Sequence, residues 1–306
     1  MSGTLGLNEA VPVLIRTRLA AFVELTKPRI SALVLVATAV GFLMALPADA
    51  GFSGVTLLFH TLLGTALVAG GANALNQCLE AEHDGRMART EGRPIPSGRL
   101  SPAEVSTFGL VSAAIGLIYL AFLVNATASL IAAITLLTYV LVYTPLKRLT
   151  ALCVFAGAVP GALPPVIGWV AGAGGLAAPA WLLFAIMFFW QLPHFAAIAW
   201  LYREDYARAG YPMLPVVDRD GLRTALHLLT HSVGLLAATL VPTAYGLTGT
   251  LYTIGAMLLG LSFLVHGVFF LLRKTERNAR RHVVASVVFL PALLTLMVVD
   301  KVLLPA

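Results

Sequence analysis

Long apolar stretches alternate with short polar islands along the whole chain. The stretches between Glu104 and Lys147 and between Arg148 and Arg203, for example, contain no Asp, Glu, Lys or Arg. A helix needs about 20 apolar residues to cross a bilayer, so the apolar stretches together hold about nine membrane spans. We place these predicted spans near 30–47, 55–79, 104–124, 126–144, 151–171, 178–200, 225–247, 251–272 and 282–303.

The pattern predicts an all-α fold, a polytopic membrane helix bundle. Composition supports this prediction, because 59% of the residues are hydrophobic and only 11% are charged. Soluble domains contain about 45–50% apolar and about 25% charged residues, so a soluble fold is excluded. We expect a cytoplasmic N-terminal segment over 1–29 and one nine-helix membrane domain over 30–304.

The positive charges predict the orientation of the bundle. With nine spans, all 20 lysines and arginines except Lys301 fall on the same side as the N-terminus. Basic loops remain in the cytoplasm, so we expect a cytoplasmic N-terminus in a bacterial-type inner membrane. The first 29 residues lack a continuous apolar core, which predicts no cleaved signal peptide. The net charge of +6 then reflects topology and indicates no nucleic-acid partner.

Two cytoplasmic connections, near 80–103 and 201–224, are long and hold most of the acidic residues, so we predict the active site there. At the start of the first loop, Asn76, Glu80 and Asp84 are four residues apart and share one face of a continuing helix. We expect this ladder to face solvent. Carboxylate and amide oxygens suit Mg²⁺, which binds one or two carboxylates together with phosphate oxygens.

Three arginines follow the ladder, and guanidinium groups form bidentate pairs with phosphate. They are Arg86, Arg89 and Arg93. Acidic and basic groups at the mouth of a membrane bundle therefore indicate a Mg²⁺–diphosphate site. The alternative is an ordinary solvated loop in which the arginines only set the topology. Glu82 and His83 point away from the ladder face.

The motifs of this loop resemble those of the UbiA-type intramembrane prenyltransferases. The resemblance rests on N-x-x-x-E-x-x-x-D over 76–84, R-T-x-x-R-P-x-P-x-G over 89–98 and E-L-T-K-P-R over 24–29. Further segments, at 143–148, 157–169, 189–195 and 202–215, resemble the branch of this family that farnesylates haem. Two departures are Glu80, where the family usually has Asp, and Ala81, where Arg is common.

The resemblance implies a reaction and a set of substrates. A Mg²⁺-dependent enzyme would transfer the farnesyl group of farnesyl diphosphate to the vinyl group of haem B, giving haem O. The implied partners are these two substrates, the lipid bilayer and a haem A synthase. Mg²⁺ would be held by Asn76, Glu80 and Asp84. The implied residues for diphosphate and haem propionates are Lys27, Arg29, Arg86, Arg89, Arg93, Lys147, Arg148 and Arg203, with Glu204 or Asp205 as a second metal-side carboxylate.

Polar residues at membrane depth are functional candidates, and His194 is the foremost of them. Its imidazole could ligate haem iron, accept a proton as a general base, or only form an interhelical hydrogen bond. His227 and His231 share a helix face, where we favour packing over a metal site.

Two rival functions stay open at this point. One is a UbiA-type enzyme with an aromatic or chlorin acceptor. A second D-x-x-x-D motif would favour it, and 202–206 lacks that spacing. The other is a transporter for an amphipathic anion. A transporter should place charge near the bilayer midplane, whereas the charges here lie at span ends.

Overall fold

The computed structural model describes residues 18–47 and 50–303, so predictions about the segment before residue 18 lie outside the described residues. Within these residues, nine helices are long and apolar enough to span a membrane, and no strand occurs. We number them in chain order: α1 (Pro28–Ala45), α2 (Gly51–Asp84), α3 (Pro102–Leu123), α4 (Ala126–Leu146), α5 (Cys153–Ala173), α6 (Ala178–Leu201), α7 (Leu222–Ala244), α8 (Thr250–Leu272) and α9 (Glu276–Leu303).

The predicted spans are confirmed, with two helices longer than expected. Helix α2 runs on to Asp84, so the whole ladder lies on one continuous helix. Helix α9 begins at Glu276, six residues before the predicted span near 282–303, because its first turns carry charged side chains that lie outside the apolar stretch. Both extensions are polar turns added to a membrane helix.

The residues before α1 form a short helix over 18–25 that covers the ends of α2 and α3. Ala21 and Leu25 on this helix are fully buried against Ala74 of α2 and Val105 of α3. Leu100, in the first long loop, completes the cluster. The helix therefore fixes the approach to α1 and positions Lys27, the residue before it.

Helix α1 packs against α5 at an unusually short distance. A Cβ atom added to Gly41 would lie 2.0 Å from the carbonyl oxygen of Pro165, and one added to Gly168 would lie 1.9 Å from that of Thr38. Small residues allow the backbones of membrane helices to approach closely, and van der Waals contact then drives their association. These two glycines set the spacing of α1 and α5.

The end of α4 changes its helical form before it reaches the first long loop. Residues Thr138–Tyr143 are π-helical, and an α-helical turn follows at Thr144–Leu146. Inserted π-turns shift the register of the residues that follow and often occur at functional sites. Thr144 and Lys147 are thereby directed towards the polar face of α2.

Lys301, the exception to the charge pattern, has a structural role at the other end of the bundle. Its ammonium donates hydrogen bonds to the carbonyl oxygens of Leu43, Met44 and Leu46, at 2.8, 2.9 and 3.0 Å. A cation at a helix C-terminus satisfies carbonyl groups that lack partners within the helix. The neighbouring Asp300 accepts from backbone amides at the start of α8. Lys301 thus joins α9 to α1.

Candidate active site

The ladder on α2 is buried, contrary to the expectation that it faces solvent. Asn76, Glu80 and Asp84 are 2%, 3% and 0% exposed. The loop that follows α2 folds back over the helix end, where Thr90 donates a hydrogen bond to the Asp84 carbonyl oxygen at 2.8 Å. The alternative of a solvated loop is therefore wrong for these three residues. It holds for Glu82, whose side chain is 74% exposed and pairs with Arg86.

Each member of the ladder contacts one cation. The Lys27 ammonium donates to Asn76 Oδ1 at 3.0 Å, and the Lys147 ammonium donates to Glu80 Oε1 at 3.0 Å. Arg93 Nη1 donates to Asp84 Oδ2 at 2.6 Å. A buried charge is costly unless it is paired, so these contacts are what permits two carboxylates at this depth.

The donor set suits a hard divalent cation. Asp84 Oδ1 is buried and has no hydrogen-bond partner among the described residues. An orphaned carboxylate oxygen beside a second carboxylate and an amide oxygen matches the ligands of Mg²⁺, whose other positions are filled by water and phosphate. The described residues contain no group of three or more His, Cys, Asp or Glu able to hold a metal alone. A metal here would need oxygen atoms from a ligand.

Lys27 lies in a strongly desolvating and positively charged environment. Desolvation, followed by repulsion from Arg93, lowers the pKa of its ammonium to about 7, although Glu80 acts in the opposite direction. An anion bound among these cations would raise this pKa again, because it would favour the charged form. The cationic side of the site is therefore prepared for an anionic ligand.

Two tyrosines from the second long loop cover the site, and neither was predicted from the sequence. The Lys147 ammonium lies 4.5 Å from the ring centroid of Tyr211 and 5.8 Å from that of Tyr206. Arg89 donates to the Tyr206 hydroxyl at 3.2 Å, with its guanidinium 4.7 Å from the Tyr202 ring. Burial raises the pKa of Tyr211, whose hydroxyl has no partner among the described residues.

The only signal for these tyrosines in the sequence is that they are aromatic residues in a loop where the active site was predicted. They lie far along the chain from Lys147, and no local spacing connects them to it. Thr144 accepts a hydrogen bond from the Asn76 amide at 3.0 Å, and no local spacing predicts this contact because the two residues are 68 positions apart in the chain. These residues extend the site from one helix to the junction of both loops.

Several predicted ligand-binding residues lie away from the ladder. Arg29 is exposed, and Arg148 donates to the Leu79 carbonyl oxygen. Arg203 contacts Trp200 and Glu276 rather than the site. Of the two acids of the set, Glu204 is exposed, whereas Asp205 is largely buried and pairs with Arg208. Lys27, Arg93 and Lys147 are the predicted cations that the structure brings to the ladder, and Arg89 lies at its rim.

His194 forms the interhelical hydrogen bond that was one of its three predicted roles. Its Nδ1 lies 2.5 Å from the Ser286 hydroxyl of α9, and its ring stacks on Trp190 at 4.9 Å between centroids. His227 and His231 lie 4.2 Å apart by ring centroids, and Nδ1 of His231 bonds the His227 carbonyl oxygen. The three histidines thus pack between helices.

The sequence that forms this helix bundle matches a known family over most of its length. The profile of the UbiA prenyltransferase family matches residues 34–292. The chain belongs to the UbiA prenyltransferase family. This UbiA prenyltransferase is 46% identical to the protoheme IX farnesyltransferase of Solibacter usitatus, over 92% of the chain and 98% of the relative. It is 41% identical to the protein of that name from Opitutus terrae, over 92% and 95%.

Solved structures show the same fold. A structure of digeranylgeranylglyceryl phosphate synthase matches this UbiA prenyltransferase with a TM-score of 0.78 at 18% identity, covering 94% of the chain and 99% of that protein. A UbiA homologue from Archaeoglobus fulgidus, bound to DMAPP and Mg²⁺, matches with a TM-score of 0.63 at 15% identity, covering 92% and 99%. The chain is thus an integral membrane prenyltransferase with a UbiA fold.

Proposed function

We propose that this prenyltransferase transfers the farnesyl group of farnesyl diphosphate to a vinyl group of haem B, giving haem O with Mg²⁺ as cofactor. The buried ladder with one cation at each member carries the donor half of the proposal. The full-length similarity to relatives named protoheme IX farnesyltransferase supports the acceptor half. The placement in a bacterial inner membrane with a cytoplasmic N-terminus belongs to the same proposal.

The site separates the charged head of the donor from its apolar tail. Diphosphate would lie among Lys27, Arg93 and Lys147. These three basic groups outnumber the two carboxylates of the ladder. The farnesyl chain would extend between the apolar helices of the bundle. When bound by Asn76, Glu80 and Asp84, Mg²⁺ would neutralise charge on the diphosphate oxygens.

The reaction breaks the bond between farnesyl C1 and the diphosphate oxygen, and the electron pair leaves with diphosphate. Lys27, Arg93 and Lys147 would stabilise the leaving group by donating hydrogen bonds as its charge grows. The terminal vinyl carbon of haem B forms the new bond to C1. Water adds to the other vinyl carbon and loses a proton. The loop that covers the ladder would keep other water molecules from the allylic cation.

The described charges favour this function over transport. Every charged side chain of the described residues lies near a helix end, at the ladder or at Asp300 and Lys301. A transporter is expected to hold its coupling ion near the bilayer midplane.

A product assay tests the proposal. Membranes containing the protein receive haem B, farnesyl diphosphate and Mg²⁺, and the products are identified by mass spectrometry. We expect a haem O peak that EDTA removes. Prenylation of an aromatic acid instead of haem would overturn the acceptor. Uptake of the anion into proteoliposomes without any prenylated product would overturn the enzyme.

Asp84→Asn tests the ladder in the same assay. Loss of a group that only supports a metal ligand lowers activity by about 10–100-fold. Because Asp84 would bind the metal directly, we expect a larger fall in turnover. Glu82→Gln is the matched control, because it removes a carboxylate two residues away whose ion pair, among the described residues, is with Arg86. Comparable rates for the two variants would contradict a role for the ladder in catalysis. Thermal unfolding of both variants separates a loss of chemistry from a loss of structure.

A further inference from the structure

A second basic site lies between α8 and α9, formed by residues that the proposed reaction does not use. A groove of about 460 Å³ runs between the two helices. Arg277, Arg280 and Arg281 line one end of it. We call this the α8–α9 groove. Its lining residues all belong to these two helices, whereas the ladder lies on α2 and its cations come from the start of α1, the end of α4 and the first loop.

The groove is polar at one end and apolar along the rest of its length. His266 lies with the arginines at the polar end, and Leu259, Val284, Val288 and Phe289 line the remainder. From Arg277 to Val288 the helix rises about 16 Å at 1.5 Å per residue. This length is about half of the 30 Å hydrocarbon core of a bilayer, so the groove reaches from headgroup depth towards the membrane centre.

The apolar part of the groove opens towards lipid. Val284 and Val288 are each 59% exposed, and the neighbouring Leu258 and Val265 of α8 are 65% and 49% exposed. Phe263, by contrast, is only 1% exposed and forms part of the floor. An acyl chain can therefore lie in the groove without displacing any helix.

The three arginines are not neutralised by the protein. Some of the other basic residues near the same end of the bundle have acidic partners, such as Arg18 with Glu104 and Arg99 with Glu24. Among the described residues, Arg277, Arg280 and Arg281 have no ion pair, and the nearby Glu276 pairs with Arg203. Basic pockets between membrane helices at this depth attract anionic lipid headgroups.

We propose that the α8–α9 groove binds an anionic phospholipid, with its phosphate on Arg277 and Arg281 and one acyl chain along Val284 and Val288. The complementary charge at the polar end selects the headgroup, and the apolar length beyond it selects a lipid over a free phosphate. The rule that positive charges collect on the cytoplasmic side would explain the arginines in this region, but it would not explain the apolar groove beside them. The bound lipid fills the side of the α8–α9 groove that faces the membrane.

The test is a lipid titration of the purified full-length protein, followed by native mass spectrometry. Phosphatidylglycerol is compared with phosphatidylcholine of the same acyl chains. We expect phosphatidylglycerol to bind at least about tenfold more tightly, because its headgroup carries a net negative charge that the arginines attract and phosphatidylcholine is neutral overall. Equal binding of the two lipids would overturn the proposal.

Two variants assign the binding to the groove. R277Q/R281Q should reduce phosphatidylglycerol binding by about thirtyfold and leave phosphatidylcholine binding unchanged. The matched control is R219Q/R223Q, which removes two exposed arginines, one in the second long loop and one in the first turn of α7. If both double variants lose phosphatidylglycerol binding equally, general charge attraction explains it and the groove does not.

Ala285→Phe fills the groove while all three arginines remain, and it should also weaken phosphatidylglycerol binding. Glycerol phosphate, which carries no acyl chain, should compete poorly with the lipid. Effective competition by glycerol phosphate, or displacement of the lipid by haem B one for one, would show that the groove does not select a phospholipid. The R277Q/R281Q comparison decides the proposal if Ala285→Phe fails to fold.

Discussion

At the scale of single residues, the site is held together by exchangeable ion pairs. The side chains of Lys147 and Glu80 are only 9% and 4% exposed, and those of Arg93 and Asp84 are 25% and 1% exposed. Breaking a buried pair by removing one partner leaves an uncompensated charge, whereas removing both partners is far less costly. Diphosphate would therefore enter by taking over cations that the carboxylates hold in its absence.

Lys147→Met tests this exchange. Because Glu80 would remain buried without its cation, we expect the free energy of unfolding to fall by about 3 kcal/mol. The double variant Glu80→Gln/Lys147→Met should recover most of that stability, yet stay inactive, because both the metal ligand and the diphosphate contact are lost. Thermal unfolding and the haem O assay provide the two measurements. Additive losses of stability would contradict a direct pair.

The ladder shows how far single residues can be predicted from sequence. A spacing of four identifies residues on one helical face, so Asn76, Glu80 and Asp84 could be grouped correctly. Their burial and their choice of partners could not be predicted, because these depend on how distant segments fold together. Arg93 and Lys147 were candidates among several cations, and only the structure separates them from Arg29 and Arg203.

At the scale of elements, hydropathy predicts where helices cross the membrane but not where they end. The ends of α2 and α9 extend into polar sequence, where a hydropathy window has no signal. The π-helical turn in α4 was equally invisible, since Thr138–Tyr143 reads as ordinary apolar sequence. Yet that turn directs Lys147 to Glu80, so the site depends on local geometry that composition does not encode.

The close approach of α1 and α5 makes a prediction at this scale. Gly168→Ala would place a methyl group against the backbone of α1, and relieving that overlap should lower the free energy of unfolding by about 3 kcal/mol. Gly175→Ala is the control, because an added Cβ there meets nothing within 4 Å. Thermal unfolding in detergent compares the two. Equal melting temperatures would show that α1 and α5 are not tightly packed at Gly168.

At the scale of the whole molecule, the bundle is closed by a contact between its first and last membrane helices. Lys301 of α9 satisfies three carbonyl groups at the end of α1. Lys301 is an exception to the rule that positive charges collect on the cytoplasmic side of a membrane protein. Its role as a cap for the C-terminal end of α1 accounts for the exception.

Lys301→Met should lower the free energy of unfolding by roughly 2 kcal/mol, since the carbonyl groups lose a charged donor. Arg219→Met removes a cation from an exposed position and is the control. Unfolding by denaturant in mixed micelles measures the difference. A stability equal to that of the control would mean that the end of α1 does not need this cap.

The same contact constrains the order of biogenesis. Helix α1 is synthesised before the other eight spans, whereas the cation that completes its far end lies on α9, 255 positions after Leu46 in the chain. Until α9 has been synthesised, the carbonyl groups at that end of α1 lack this donor. The helix that follows Lys27 is therefore completed only once α9 has been inserted, which links the candidate site at one end of α1 to an assembly step at its other end.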